Sequence, residues 1–499
     1  MQYIIFYMAN IFMKDPFQHQ RDAVAACHNT DMDNYAYLME MGTGKTLTAL
    51  VDLFLLNSKD LVKCAVVLAP KSVYRNWYNE IKTFISDEYD YKINIWEPNM
   101  IDPESKELIY TDKFFRLGEE AKLHIFLMNI EALSTPKGVN YLHAFVRRKK
   151  EPFSDNKTMM IVDESTTIKS PTAKRTKNLL KISKDVGYKR ILTGTPVTKS
   201  PLDIFSQFAF LNPEILGQKN YYAFRARYAK IVSRPTGGGR HFPLITGYQR
   251  LEELEKKIYT HAFRVKKEEC TDLPPKMYMK RFIPMSEKQL VAYESLRRNA
   301  MFIFNDKTTT SVNRLSQIVK LHQVCCGFTI NDQGEIHDVP NKRYDELMNV
   351  LEEVDGKVII WATYRHNIET ITQKLKEKYG DTSTAAFYGD TDNQVRLDLV
   401  KNFQDKKHDL TYLVANPKTG GYGITLTASH TVVYFSNNYD LEIRLQSEDR
   451  AHRIGQKNKV TYVDFVCKGT VDEKILTALK NKVDIASQVM GDELKSWIS

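Results

Sequence analysis

The stretch YLMEMGTGKTLTAL, residues 37–50, decides how the rest of the chain is read. Strand-like residues run into Gly42, Thr43, Gly44, Lys45 and Thr46, and a helix-forming run follows. Glycines let a backbone curl until its N–H groups converge on one phosphate. A helix that begins directly after the curl adds the positive end of its dipole. Lys45 is placed to reach the β- and γ-phosphates, and the Thr46 hydroxyl to ligate Mg²⁺, so the stretch points to ATP and Mg²⁺. The strict phosphate-loop pattern asks for glycine where Met39 stands, so the match is incomplete.

A nucleotide site needs a second half, and IVDESTTIKS (161–170) offers one. An apolar run delivers Asp163 and Glu164 at its C-terminal end, where open α/β sheets bind ligands. Asp163 suits Mg²⁺ and Glu164 suits activation of a water. The dipeptide alone also fits a turn or a helix start. Two further stretches carry paired readings. In DPFQHQRDA (15–23), the Gln20 amide either meets an adenine edge or is solvated in a loop. In LTGTPVTKS (192–200), Thr193 and Thr195 either sense the phosphate site or cap a helix.

The strands around these motifs are legible. CAVVLAP (64–70), HIFLMNI (124–130), TMMIVDES (158–165) and KRILTGTP (189–196) read as buried parallel strands, most of them followed by a helix-like stretch. The pattern resumes in KVIIWAT (357–363), TAAFYGD (384–390), LTYLVAN (410–416), HTVVYFS (430–436) and VTYVDFV (460–466). Residues from about 205 to 345 read as helical and rich in Lys, Arg and aromatics. Within them, RPTGGGR (234–240) lacks a preceding strand and a following GK[ST], so it reads as a flexible surface loop. The expectation is an α/β protein: two mostly parallel sheets with helical material between them.

At 499 residues the chain is too long for one ordinary core. With 42% hydrophobic, 26% charged and 11% aromatic residues, disorder is not the default reading. A net charge of +10 suits a polyanion partner or simply solubility. Cys27, Cys64, Cys270, Cys325, Cys326 and Cys467 form no C-x-x-C pair and read as reduced thiols rather than zinc ligands or disulfides. The N-terminal run MQYIIFYMANIFMKDPF has no basic start, is too short to span a bilayer and reads as a strand. No transmembrane segment and no separate reader domain are expected.

The last informative stretch is RLQSEDRAHRIGQ, residues 444–456. On a helix, Gln446, Arg450 and Arg453 would share one face. With it, MGTGKT, DEST, LTGTP and GGYGITLTAS stand in the order and spacing of superfamily-two helicases, and QSEDRAHRIGQ resembles the Swi/Snf-type DNA translocases. VLAPKSVYRNWYNEI, LTGTPVTKSPLDIFSQFAFLNPEILG, RVKKEECTDLPPK and TVDEKIL are similar to that family too.

The resemblance implies two tandem RecA-like lobes with ATP between them, residues 1–262 and 263–499, with a helical extension from about 205 and a helical protrusion over about 275–340. It implies that Lys45 and Thr46 hold phosphate and Mg²⁺, and that Asp163 and Glu164 serve Mg²⁺ and water. Thr193 and Thr195 fall in the coupling motif. Gly421, Gly423 and Asp449 fall in second-lobe motifs. Gln446, Arg450 and Arg453 face the nucleotide, Arg453 being the preferred arginine finger. Thr166 stands where many relatives carry His or Gln, Thr43 replaces a more usual leucine, and WATYRHN (361–367) is only loosely similar.

The implied partner is double-stranded DNA, gripped mainly through phosphates. The candidates at strand ends are Lys71, Arg75, Asn129, Lys199, Arg365, Lys418 and Thr419, each also readable as surface solvation. Trp77 and Trp361 either stack on bases or pack in a core. The expected protein is a monomeric motor of the microbial or phage-infected cytoplasm, or of the nucleus in a eukaryote, targeted by a partner protein or by DNA shape. A strand-separating DNA or RNA helicase and a non-hydrolysing ATP-regulated binding module are the alternatives.

Overall fold

The computed structural model describes residues 11–490 apart from 31, 72, 98–120, 148–156, 237–239, 271, 306–310, 390 and 419–423. Two units emerge. The first reaches Thr271, leaves out Val232–Leu244 and takes in the chain again from Ile485; the second holds Val232–Leu244 and Asp272–Asp484.

The first unit is built on β1 (Asn34–Met39), β2 (Cys64–Ala69), β3 (Tyr91–Ile95), β4 (Leu123–Asn129), β5 (Thr158–Asp163) and β6 (Tyr188–Leu192). A two-stranded sheet of β7 (Ala229–Thr236) and β8 (Arg240–Tyr248) follows, then β9 (Ala262–Val265). The main sheet runs β3-β4-β2-β5-β6-β1-β9 and every pairing is parallel. Parallel strands are covered on both faces, which is why β2 and β5 are buried at every residue. Alternate residues feed two cores: Ala36 and Leu38 point into one, Tyr35, Tyr37 and Met39 into the other.

Helices lock to this sheet by apolar stripes. Tyr74–Phe84 buries Tyr74, Trp77 and Ile81, spaced three and four apart, and turns Arg75 outward. Lys45–Ser58 is buried nearly all round and carries a polar anchor as well. Its Asp52 accepts hydrogen bonds from Arg190 Nε (2.6 Å), Tyr37 Oη (2.8 Å) and the His28 ring (2.9 Å), tying the helix to β1 and β6. Burial alone would raise the Asp52 pKa, but Arg190 and His28 outweigh it and hold the carboxyl below its usual range.

The second unit carries β10 (Lys276–Phe282), the small antiparallel pair β11 (Phe328–Ile330) and β12 (Ile336–Asp338), then β13 (Lys357–Trp361), β14 (Thr384–Phe387), β15 (Tyr412–Ala415), β16 (Ser429–Tyr434) and β17 (Val460–Val466). Its sheet runs β10-β17-β16-β13-β15-β14, again all parallel.

The expected runs from CAVVLAP to VTYVDFV therefore form the strands of two α/β sheets. Three expectations change. The region from 205 to 345 is not uniformly helical: β7 and β8 flank the glycine run, whose residues 237–239 lie outside the described ones. The β-branched residues in AKIVS favour a strand over a helix. KMYMKRF, placed in the helical protrusion, is the edge strand β10; its alternation of exposed Met277 and Met279 with half-buried neighbours is strand periodicity. And β9, across the expected boundary at 262/263, closes the first sheet. Of the N-terminal run read as a strand, residues 1–10 lie outside the described ones, and Phe12 makes a single bridge to Ile85.

Candidate active site

The order β5-β6-β1 brings three strand ends together, and each ends in a motif. After β1 the backbone turns through Glu40–Gly44 before the helix Lys45–Ser58. Gly42 and Gly44 hold φ of 84° and 83°, left-handed values that side chains resist. Gly44 also has no room: a Cβ there would lie 2.0 Å from Gln20 Nε2. Gln20 braces this loop. Its Nε2 donates to the Thr43 and Gly44 carbonyls (3.3 and 3.2 Å), and its Oε1 accepts from the Phe17 N–H at 2.8 Å. Thr43 closes the turn by donating its hydroxyl to the Glu40 carbonyl at 2.7 Å. No side chain caps the helix that starts at Lys45. First-turn N–H groups, glycine curl and lysine together fit a phosphate chain.

Lys45 Nζ stands 3.7 Å from Glu164 Oε1, and each side chain is 11% exposed. Thr46, half-buried, follows on the first turn. Asp163 ends β5 and is buried; its Oδ1 accepts from the Glu164 N–H and its Oδ2 from Trp77 Nε1–H, both at 2.9 Å. Burial raises the Asp163 pKa, while Lys45 and the Trp77 hydrogen bond oppose the rise. A buried acid with both oxygens held by neutral donors fits a divalent cation better than a surface turn. Glu164 sits at φ 47°, a left-handed value costing a non-glycine residue about 1–2 kcal/mol. Such strain concentrates at functional sites.

After β6, Thr193 is buried and its Oγ1 accepts from the Thr195 N–H at 3.1 Å. A Cβ on Gly194 would meet Glu40 Cα at 3.0 Å and Met41 N at 3.1 Å, so the LTGTP loop lies directly on the backbone that leads into MGTGKT. Gln207, on the helix Ile204–Leu211, ties this loop to the acidic motif. Its Oε1 accepts from the Ser165 hydroxyl at 2.6 Å, and its Nε2 donates to the Pro196 and Asp203 carbonyls at 2.8 Å each. Thr166 is buried next to Ser165. Sequence reasoning passed over Gln207 and the role of Trp77. A lone glutamine in the apolar run IFSQFAFL was the available signal, since a buried amide requires partners.

In the second unit the helix Leu441–Glu448 carries Gln446 but stops before Arg450. Gln446, Arg450 and Arg453 therefore do not share a helical face, as the spacing suggested. The Arg450 carbonyl instead accepts from the Leu426 N–H at 2.9 Å, which draws the chain into turns. Arg450 is buried and its Nη1 donates to the Ile424 carbonyl at 3.2 Å; Arg453 is half-exposed. Gln446 is buried and reaches Glu442 at 3.4 Å. Asp449 lies 3.4 Å from Lys276 Nζ. Gly421, Gly423 and Thr419 lie outside the described residues.

Among the described residues, the candidate DNA contacts lie at or just beyond strand ends. Lys71 and Lys199 are exposed after β2 and β6, Asn129 ends β4, and Lys418 is exposed after β15. Arg75 pairs with Glu97 at 2.8 Å, and Arg365 with Glu369 at 2.8 Å. Trp77 and Trp361 are buried, which rules out stacking on bases in this conformation. None of the six cysteines is joined in a disulfide. Cys325, Cys467 and Asp472 gather within 4.8 Å, but buried Arg343 already donates to Cys467 Sγ and pairs with Asp472, so that cluster holds its own cation. Among the described residues no helix is long and apolar enough to cross a membrane.

The SNF2-related domain matches residues 19–329, and the helicase conserved C-terminal domain matches residues 342–455. The uncharacterized ATP-dependent helicase MG018 of Mycoplasma genitalium is 25% identical over 468 residues, covering 92% of this chain and 40% of that protein. The putative ATP-dependent helicase/translocase YwqA of Bacillus subtilis is 25% identical over 473 residues, covering 92% and 46%. The CHD3-type chromatin-remodeling factor CHR7 of Arabidopsis thaliana is 24% identical over 479 residues, covering 91% and 35%. The chain thus spans less than half the length of these curated relatives. Among solved structures, the Sulfolobus solfataricus SWI2/SNF2 ATPase core in complex with dsDNA aligns at a TM-score of 0.41 and 21% identity, over 97% of this chain and 95% of that one. With more than half of its residues matched by the SNF2-related domain, the chain belongs to that family.

Proposed function

We propose that this chain is an ATP-hydrolysing motor that translocates on double-stranded DNA and so remodels DNA, protein–DNA complexes or DNA junctions. The observation that supports it best is the meeting of Lys45, which follows β1, with Asp163 and Glu164 at the end of β5, on either side of β6, with Lys45 Nζ 3.7 Å from the Glu164 carboxylate. Gly42, Thr43, Gly44 and Lys45 cradle the phosphates, with Gln20 behind them. Thr46 and Asp163 hold Mg²⁺, and Glu164 orients and deprotonates the attacking water. Bound ATP and Mg²⁺ supply the transferable phosphoryl group and the charge that the surrounding residues stabilise.

Phosphoryl transfer depends on positioning and positive charge, and an arginine finger contributes about 10³–10⁵ in rate. Arg453 takes that role, supported by Arg450 and Gln446. These residues belong to the second unit, so turnover requires closure, and closing and reopening on a gripped strand produces stepping. Thr193, Thr195 and Thr166 pass the phosphate state to the grip. Lys71, Arg75, Asn129, Lys199, Arg365, Lys418 and Thr419 supply phosphate contacts, which makes binding salt-dependent. The motor acts as a monomer in cytoplasm or nucleus, and a partner protein or DNA shape sets its target.

The test measures ATP hydrolysis with duplex DNA, single-stranded DNA and RNA, and triplex displacement on duplex DNA, for wild type and Lys45→Ala. Duplex-stimulated turnover and triplex displacement, both lost in Lys45→Ala, are expected; stimulation by RNA alone would overturn the DNA reading. Arg453→Ala should abolish turnover while ATP still binds, and a normal kcat in that variant would remove its finger role.

A further inference from the structure

Asp163 is held from an unexpected direction. The helix Tyr74–Phe84 follows β2, and β2 pairs with β5, so the helix reaches the end of the strand that carries Asp163. Trp77 is 1% exposed and its Nε1–H donates to Asp163 Oδ2 at 2.9 Å, across 86 residues of sequence. The other oxygen, Oδ1, accepts from the Glu164 N–H at 2.9 Å. One tethered donor per oxygen fixes the carboxylate plane, and each oxygen keeps a second lone pair.

The donor's chemistry matters. An indole N–H donates and cannot accept, so the contact has one polarity only. It is also neutral. A lysine or arginine at the same place would fix the carboxylate equally well but would cancel the charge that a divalent cation needs. A rigid bicyclic ring locked in the core by Tyr74 and Ile81 on the same stripe provides reach without rotamer freedom.

We propose that Trp77 is a positioning residue for the divalent cation of the nucleotide site: its indole N–H holds Asp163 in the rotamer that ligates Mg²⁺. The proposal rests on the reading of Asp163 as the Mg²⁺ ligand, and the experiment separates the two.

Mn²⁺ is titrated into the full chain with ADP present, and free Mn²⁺ is followed by electron paramagnetic resonance. Partners of metal ligands typically change metal affinity about 10–100-fold. Trp77→Phe is therefore expected to weaken Mn²⁺ binding about tenfold, while metal-free ADP binding stays within a factor of about two. Because Trp77→Phe also thins the core, benzothienylalanine placed at Trp77 is the second variant; it keeps the bicyclic shape, lacks the N–H and should reproduce the loss. Asp163→Asn is run alongside. If Asp163→Asn loses Mn²⁺ and the benzothienyl variant keeps it, Trp77 is only packing and the proposal falls while the role of Asp163 stands. If Asp163→Asn binds Mn²⁺ normally, the role of Asp163 falls and the proposal with it.

Discussion

Arg444 opens the RLQSEDRAHRIGQ stretch and is the residue whose loss should damage the second unit most. Its guanidinium is buried over the Tyr434 ring, 3.6 Å from the centroid. Nε donates to Glu448 at 2.8 Å, Nη1 to Asn437 at 2.7 Å and to Asp464, and Nη2 to Asp464 at 3.0 Å. Arg444→Met keeps much of the side-chain volume and removes the charge. The two carboxylates then fare differently. Glu448 retains Lys276 at 3.0 Å and the Tyr278 hydroxyl at 2.8 Å, whereas Asp464 retains the Asn437 amide at 2.7 Å. Breaking a buried pair by removing one partner costs about 3–5 kcal/mol, so most of that cost should fall on Asp464. For a unit of this size each kcal/mol lowers the melting point by about 2–4 °C, which puts the expected drop near 6–20 °C. Differential scanning calorimetry of the full chain reads the midpoint of the second unit's transition without assuming a two-state molecule. Adding Asp464→Leu removes the stranded charge and should recover at least half of the drop. A midpoint within about 1 °C of wild type for Arg444→Met, or no recovery in the double variant, would refute the stranded-charge reasoning.

Three further outcomes are expected. Gly44→Ala combines a left-handed backbone at φ 83° with a Cβ 2.0 Å from Gln20 Nε2, so affinity for a fluorescent ATP analogue should fall by more than about tenfold, given strain alone of about 1–2 kcal/mol. Adding Gln20→Ala should restore only part of it. Gln207→Leu strands the Ser165 hydroxyl and the Pro196 carbonyl, at about 1–3 kcal/mol each if unsatisfied, and should lower the ratio of duplex-stimulated to basal ATPase more than the basal rate itself. An unchanged ratio would deny Gln207 any relay role. Glu448 gives the second unit an acid limit: burial pushes its pKa up, but Lys276 and Arg444 outweigh burial and hold it below its usual value. A depressed folded pKa means stability that is complete above the unfolded value of about 4.3 and is lost as pH falls through the folded one. The second unit's midpoint should therefore decline below about pH 4.3, and Glu448→Gln should flatten that decline.

What could be read in advance follows from where the governing physics is local. MGTGKT and DEST follow strands with continuous apolar runs, LTGTP follows a shorter one that ends in Ile191 and Leu192, and strand ends in a parallel sheet face the same edge. Three local patterns therefore point Lys45, Asp163 and Thr193 to one edge of the sheet. The helical face through Gln446, Arg450 and Arg453 failed because spacing predicts proximity only while the helix lasts. Past Glu448 the Arg450 carbonyl takes the Leu426 N–H, a partner 24 residues upstream with no local signature. β10 went unread for a related reason: at a sheet edge its alternation is between half-buried and exposed residues, a weaker signal than the continuous runs of the central strands.

Trp77 and Gln207 mark a different limit. Periodicity announces that both are buried, but a buried donor declares only that it has a partner, never which one. The partner of Trp77 lies 86 residues away and that of Gln207 42 residues away, each joined through sheet order rather than sequence order. Both connect one motif's strand end to a neighbouring helix. Motif residues can thus be transferred by pattern, while the partners of the side chains that hold them emerge only from the order of strands in the sheet. If that division is right, substitutions at Trp77 and Gln207 should alter cation affinity and DNA coupling while Lys45, Asp163 and Glu164 remain in place.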